Sequence, residues 1–77
     1  MEHRKDGRRR VLRAGTIEFD GGAINCTVRN LSATGAMLDV ASPIGIPPRF
    51  NLILGEGHLV PCRIVWRKPS RIGVRFE

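Results

Sequence analysis

Apolar and polar residues alternate along most of this 77-residue chain, in short runs that are separated by glycine or proline. In the run Ile-Asn-Cys-Thr-Val-Arg at 24–29, for example, the three apolar side chains would share one face of an extended strand and the three polar ones the other. Six runs of this kind occur, and none has the three-to-four-residue spacing of an amphipathic helix. The alternation therefore predicts six short β-strands, each with one buried face.

The breaks between these runs are rich in turn-forming residues. They lie at 20–22, 30–35, 42–48, 55–57 and 68–70, and the third contains three prolines and a glycine, which excludes a helix there. A chain of this length buries only about 60% of the surface that its unfolded form exposes, which is enough for one thin core. Closing the strands into a barrel removes open sheet edges. We therefore predict an all-β fold, a small six-stranded antiparallel split β-barrel over residues 14–77.

The two cysteines and the single tryptophan lie in strand-like runs. Trp66 continues the alternation of Cys62 and Ile64, so we expect it to face inward with them, although Val65 is apolar too and leaves the other face open to it. Cys26 lies in the second run, and both thiols are expected to be reduced and buried. Because the sequence lacks the close Cys and His pairs that zinc sites use, no metal-binding residues are expected.

The positive charge is concentrated at the N-terminus. The chain has 13 Lys and Arg residues against 7 Asp and Glu, a formal charge of +6, and eleven of the cations are Arg. Residues 1–13 hold six of the cations and only two anions. This segment has too little apolar surface to pack by itself, so it is predicted to be a flexible, Arg-rich N-terminal arm. Because the planar guanidinium matches phosphate and the guanine edge, we expect an anionic partner.

Several classes of function are disfavoured by what the sequence lacks. It has no nucleophile-elbow pattern and no Gly-rich phosphate loop, so no catalytic residues are expected and the protein is not predicted to be an enzyme. No cofactor is predicted either. The chain has no run of 18 apolar residues and no apolar stretch behind its basic start, so we expect a cytoplasmic protein without membrane insertion.

Two pairs of arginines in the N-terminal arm have the spacing Arg-x-x-x-Arg. Arg4 and Arg8 form one pair, and Arg9 and Arg13 form the other. On an extended chain, the two guanidinium groups of a pair would lie up to about 13 Å apart. A turn at residues 6–7 would bring those of Arg4 and Arg8 together around one ligand. Taken alone, the spacing favours the simpler interpretation of a solvated basic tail.

A second cluster of polar residues lies in the break between the second and third strands. It contains Asn30, Ser32 and Gly35 in the pattern Asn-x-Ser-x-x-Gly. Asn and Ser side chains in a turn usually bond to the nearby backbone, and Gly35 is expected to supply a positive φ angle. The same three residues would also offer an amide, a hydroxyl and an unobstructed backbone to a polar ligand on the barrel surface.

Together, the two motifs resemble those of the PilZ domain, the bacterial receptor module for cyclic di-GMP. The similarity extends to the segments 26–29 and 36–38, to Ile-Val-Trp at 64–66 and to the last strand at 72–76. It therefore covers almost the whole chain.

The resemblance implies a barrel that binds cyclic di-GMP, orders its arm on binding and signals through contacts with a downstream protein. It assigns ligand binding to Arg4, Arg8 and Arg9 in the arm and to Asn30, Ser32 and Gly35 on the barrel. Arg9 and Arg13 form the alternative arginine pair. His3 stands where many members of the family have an arginine directly before the motif.

Two other functions are compatible with the sequence. Some PilZ-like domains act as protein-interaction modules that do not bind the nucleotide. A small basic barrel can also hold single-stranded nucleic acid, usually by stacking bases on exposed aromatic side chains. This chain has only three Phe and one Trp, most of which are expected inside, so nucleic acid is the weaker interpretation.

Overall fold

A computed structural model describes residues 12–55 and 57–77 of the chain. The predicted all-β architecture is confirmed: these ranges contain six strands and no helix, and so no helix that could span a membrane. The strands are β1 (Arg13–Phe19), β2 (Gly22–Arg29), β3 (Gly35–Asp39), β4 (Arg49–Leu54), β5 (His58–Lys68) and β6 (Arg71–Phe76). Each of them contains one of the six alternating runs.

The six strands close into one antiparallel barrel, as predicted. Around the barrel their order is β1, β2, β3, β6, β5, β4, after which β4 pairs with β1. Ile17 of β1 pairs with Ile24 of β2 on one side and with Leu52 of β4 on the other. Because β3 and β4 lie on opposite sides of this ring, the proline-rich loop between them crosses one end of the barrel.

Alternate residues of the strands fill the barrel interior. The core consists of Ile17, Cys26, Val28, Ala36, Leu38, Val40, Ile46, Phe50, Leu52, Cys62, Ile72 and Val74. Ile46 belongs to the loop between β3 and β4 and is only 3% exposed, so this loop closes the end that it crosses. Burying each large apolar side chain contributes about 1.5–3 kcal/mol. The interior is thus a packed core, and a ligand site must lie on the outside.

A β-bulge in β5 moves Trp66 out of the core. Ile64 pairs with Val74 and Trp66 pairs with Gly73, so Val65 has no partner between them. One extra residue in a strand changes the face on which the following side chains lie. Trp66 is therefore on the outer surface with 37% of its area exposed, and the prediction that it faces inward is wrong.

Both cysteine thiols are buried and unpaired, as predicted. Burial raises the pKa of Cys26 and of Cys62 from the ordinary value of 9.0 to about 11. The thiols therefore stay protonated at neutral pH and act as small apolar side chains of the core.

Candidate functional site

The motif of Asn30, Ser32 and Gly35 lies in the turn that joins β2 to β3. Asn30 follows the last residue of β2 and has a φ angle of 48°, a left-handed conformation that Asn tolerates better than most residues. Among the described residues, its side chain makes one weak hydrogen bond, from Nδ2 to Met37 Sδ at 3.9 Å. Most of the bonding capacity of this amide is therefore available to a ligand.

The hydroxyl of Ser32 holds the shape of this turn. Its Oγ accepts hydrogen bonds from the backbone N–H groups of Thr34 and Gly35, each at 3.2 Å. The backbone N–H of Ser32 in turn donates to Gly35 O at 2.9 Å. Ser32 thus bonds to the nearby backbone, as the sequence predicts for a serine in a turn.

Gly35 is needed for a close approach of two strands and not for its φ angle. Within the turn, the positive φ belongs to Asn30, so the expectation that Gly35 supplies it is wrong. Gly35 begins β3 opposite Arg75, where a Cβ atom would overlap the backbone oxygen of Val74. Only glycine lets β3 and β6 come this close.

An open pocket of about 320 Å³ lies on the outer face of the barrel beside this turn. Its walls include the three motif residues together with Met37, Trp66 and Arg75. The volume is at the lower end of the range for small-molecule sites. It suits one planar ring system and not a larger ligand as a whole.

The indole of Trp66 forms one wall of this pocket. Trp66 pairs with Gly73 across β5 and β6, and a Cβ atom at Gly73 would overlap the ring. Lys68 Nζ lies 5.4 Å from the centre of the ring, within the range of a cation–π contact. The exposed part of the indole provides a surface on which an aromatic ring can stack. The sequence prediction does not include this residue in the site. The three consecutive apolar residues at 64–66 break the alternation, but they do not show which of them lies outside the barrel.

Positive charge surrounds the pocket. Arg75 lies on its wall and makes no ion pair with any residue in the described ranges. Beyond Met37 on β3, Asp39 accepts hydrogen bonds from Arg29 at 2.5 Å and from Arg71 at 2.6 Å. The bond from Arg71, with a smaller contribution from Arg29, holds the pKa of Asp39 below its usual value. One carboxylate among these cations leaves the local field positive, which suits an anion.

The other candidate residues, Arg4, Arg8 and Arg9, precede residue 12 and lie outside the described residues. The described chain enters the barrel beside the pocket, because Arg13 at the start of β1 pairs with Val28, two positions before Asn30. Over residues 12–55 and 57–77, no group of three or more His, Cys, Asp or Glu is arranged to hold a metal ion.

Comparison with known proteins identifies the family of this chain. No curated protein sequence matches it. The family model described as the PilZ domain matches residues 2–77, which is almost the whole chain and includes both the N-terminal arginines and the turn that lines the pocket. The chain therefore belongs to the PilZ domain family.

Proposed function

We propose that the protein is a receptor for cyclic di-GMP, an adaptor and not an enzyme, in which the ligand orders the N-terminal arm and so changes contacts with a downstream protein. The PilZ domain is known as a receptor module for this nucleotide. One observation carries the proposal: the motif residues of a PilZ-family chain line a single open pocket with Trp66 and Arg75, close to where the arm joins β1.

The pocket offers groups that suit each part of this ligand, which has two guanine bases and two phosphates. The exposed indole of Trp66 can stack a base, a contact of about 1–3 kcal/mol. Arg75 can bond bidentately to a phosphate or to guanine O6 and N7. Asn30 has amide groups available for the edge of a base.

In this proposal the N-terminal arm supplies the rest of the site, because the pocket is too small for the whole nucleotide. Arg8 and Arg13 are five positions apart, and a segment of that length reaches at most about 18 Å. Arg4 and Arg8 would bind the side of the ligand that faces away from the barrel, and Arg9 would lie beside them. Ordering the arm costs about 1–2 kcal/mol per residue, whereas a charge-assisted hydrogen bond returns about 1.5–3 kcal/mol. Binding is therefore expected to need more than one arginine.

Calorimetric titration with cyclic di-GMP tests the proposal, with GMP as the control nucleotide. We expect saturable binding of the cyclic nucleotide alone, with quenching of the emission of Trp66, the single tryptophan of the chain. Arg8→Ala should lower the affinity at least about tenfold. Arg67→Ala removes an exposed arginine of β5 outside the pocket and should keep the affinity. Unchanged affinity in Arg8→Ala contradicts the role of Arg8, and no binding by the unchanged protein contradicts the receptor function.

Two further variants decide which arginines form the motif pair. If Arg4 and Arg8 are the pair, Arg4→Ala loses affinity and Arg13→Ala retains it. If Arg9 and Arg13 are the pair, the two variants exchange their effects. Binding curves of both variants, measured beside Arg9→Ala, distinguish the two assignments.

The two other candidate functions give different results in the same experiments. A protein-interaction module without ligand would bind neither nucleotide. A nucleic-acid-binding barrel would ignore cyclic di-GMP but bind an oligonucleotide with an affinity that falls steeply with salt. The basic surface and the exposed Trp66 are the observations that favour nucleic-acid binding as the second candidate.

A further inference from the structure

A row of three arginines crosses the outer face of the barrel and ends at the pocket. Arg49 of β4 pairs with Arg63 of β5, and Arg63 pairs with Arg75 of β6. Because neighbouring strands are about 4.8 Å apart, the three Cα atoms span roughly 10 Å. The side chains of Arg49 and Arg63 are 72% and 49% exposed, and Arg75 is exposed as well. We call these three residues the arginine row.

The stability of the barrel does not explain the arginine row. Like charges directly opposite each other on adjacent strands are destabilising. One carboxylate, that of Glu77, lies 3.6 Å from Arg49 Nε and 3.5 Å from Arg63 Nε. Arg75 forms no ion pair with a residue in the described part of the chain. Counted over these side chains, three cations and one anion give a charge of +2.

We propose that the arginine row docks an acidic segment of a partner protein. This inference rests on the proposed adaptor function, for which it names the contact surface. The carboxylate of Glu77 already lies between two of the arginines, and a guanidinium binds a carboxylate through two parallel hydrogen bonds. Residues three or four apart on a helix rise by about 4.5–6 Å, close to the spacing of the strands. An acidic helix with Glu on three successive turns can therefore face all three arginines.

The surroundings of the row limit what can occupy it. Beyond β4, the next strand presents Glu18 opposite Asn51, and Glu18 and Asp20 border the same cleft as Arg49. The positive surface therefore ends at β4. A single nucleic-acid strand needs a longer basic path and several aromatic side chains for its bases, whereas one exposed aromatic residue, Trp66, lies in the pocket at one end of the row. A short acidic protein segment fits the observed length and charge better.

Arg75 belongs to both the arginine row and the pocket. Whether Arg75 bonds to a phosphate or to a guanine edge, the bound ligand occupies its guanidinium and so withdraws it from the row. By linkage, cyclic di-GMP must then weaken binding of the acidic segment, and the segment must weaken binding of the nucleotide by the same factor. This gives the barrel a direct route from ligand to partner, for which we expect a change in Kd of about fivefold.

Fluorescence anisotropy with a labelled helical peptide tests the docking site. The probe has about 18 residues, with Glu on one face of an Ala-rich helix, and a peptide with Gln in place of Glu is its control. At about 50 mM salt, the double variant R49Q/R63Q should bind the Glu peptide at least about tenfold more weakly. The charge-matched double variant R67Q/K68Q, at the C-terminal end of β5 and outside the row, should change the Kd by less than about twofold.

Three outcomes would overturn the docking site. Equal weakening in R49Q/R63Q and R67Q/K68Q would mean that net charge alone attracts the peptide. No saturable binding of the Glu peptide to the unchanged protein would remove the site altogether. If R49Q/R63Q loses affinity for an oligothymidylate of about 20 nucleotides but not for the peptide, the row is a nucleic-acid surface.

Titration of the same proteins with cyclic di-GMP separates this inference from the proposed receptor function. R49Q/R63Q lies outside the pocket and should keep its nucleotide affinity, with a melting temperature within about 4 °C of the unchanged protein. Failure of the unchanged protein to bind the nucleotide, with peptide binding that still depends on the row, rejects the receptor and leaves the docking site. A peptide Kd that saturating cyclic di-GMP does not change contradicts the link through Arg75.

Discussion

The indole ring of Trp66 lies over the backbone of Gly73, in the space that a side chain at position 73 would occupy. The bulge at Val65 turns Trp66 to the outer face. Because Gly73 has no side chain, the ring can pack against its backbone there. The pocket wall that we assign to a guanine base thus depends on both residues. A change at position 73 alters the wall without removing any group that would contact the ligand.

Gly73→Ala should therefore displace the indole. A Cβ atom at this position would overlap the ring, and overpacking of this kind costs about 1–3 kcal/mol. We expect a shifted tryptophan emission, a lower melting temperature and weaker binding of cyclic di-GMP. Gly22→Ala is the control, because a Cβ there would meet only Phe19 O at an ordinary 3.5 Å. Unchanged emission in Gly73→Ala contradicts the position of the ring.

Ser32→Ala tests whether the turn shapes the site. The change removes the acceptor of two backbone N–H groups and should cost about 0.5–1.5 kcal/mol of unfolding free energy, together with ligand affinity. Ser42→Ala is the matched control. Ser42 Oγ also accepts a hydrogen bond from the backbone N–H group two residues later, that of Ile44 at 3.2 Å, but it lies in the loop between β3 and β4 and not in the motif turn. Denaturant titration should show a loss in both variants, and calorimetry a loss of affinity only in Ser32→Ala. A similar loss of affinity in Ser42→Ala would trace the effect to general stability.

The strands and the inward residues could be predicted from the sequence, because the alternation within each run indicates which of its side chains are buried. The position of Trp66 could not, since the bulge depends on how β5 pairs with β6, which are separate runs of the chain. The same holds for Gly35, whose close contact with Val74 exists only once β3 lies beside β6. The arginine row likewise needs the register of three strands before its members become neighbours. Local periodicity predicts faces, whereas contacts between strands require the fold.

The buried thiols predict a loss of stability at high pH. Their pKa is about 11 in the folded protein against an ordinary 9.0, so the unfolded chain releases its thiol protons first as the pH rises. The stabilisation is complete below pH 9 and is lost as the pH rises through about 11. Denaturant titrations between about pH 8 and pH 10.5 should therefore show a falling unfolding free energy. The double variant C26A/C62A starts from a lower stability but should show a smaller fall; an equal fall in both proteins assigns the effect to other groups.

Asp39 predicts a loss of stability at low pH. The hydrogen bond from Arg71 and that from Arg29 lower the pKa of Asp39 in the folded state, so folding favours its ionised form. This contribution is present above the ordinary Asp pKa of 3.8 and disappears as the pH falls through the lower folded value. Because both arginines are about 40% exposed, solvent screening limits the effect of Asp39→Asn at neutral pH to about 1 kcal/mol.

Glu18→Gln is the control, since Glu18 forms no ion pair with a residue in 12–55 or 57–77. In urea titrations, the difference in unfolding free energy between Asp39→Asn and the unchanged protein should vanish at about pH 2. A difference that persists at this pH would mean that Asp39 stabilises β3 through the shape and packing of its side chain and not through its charge.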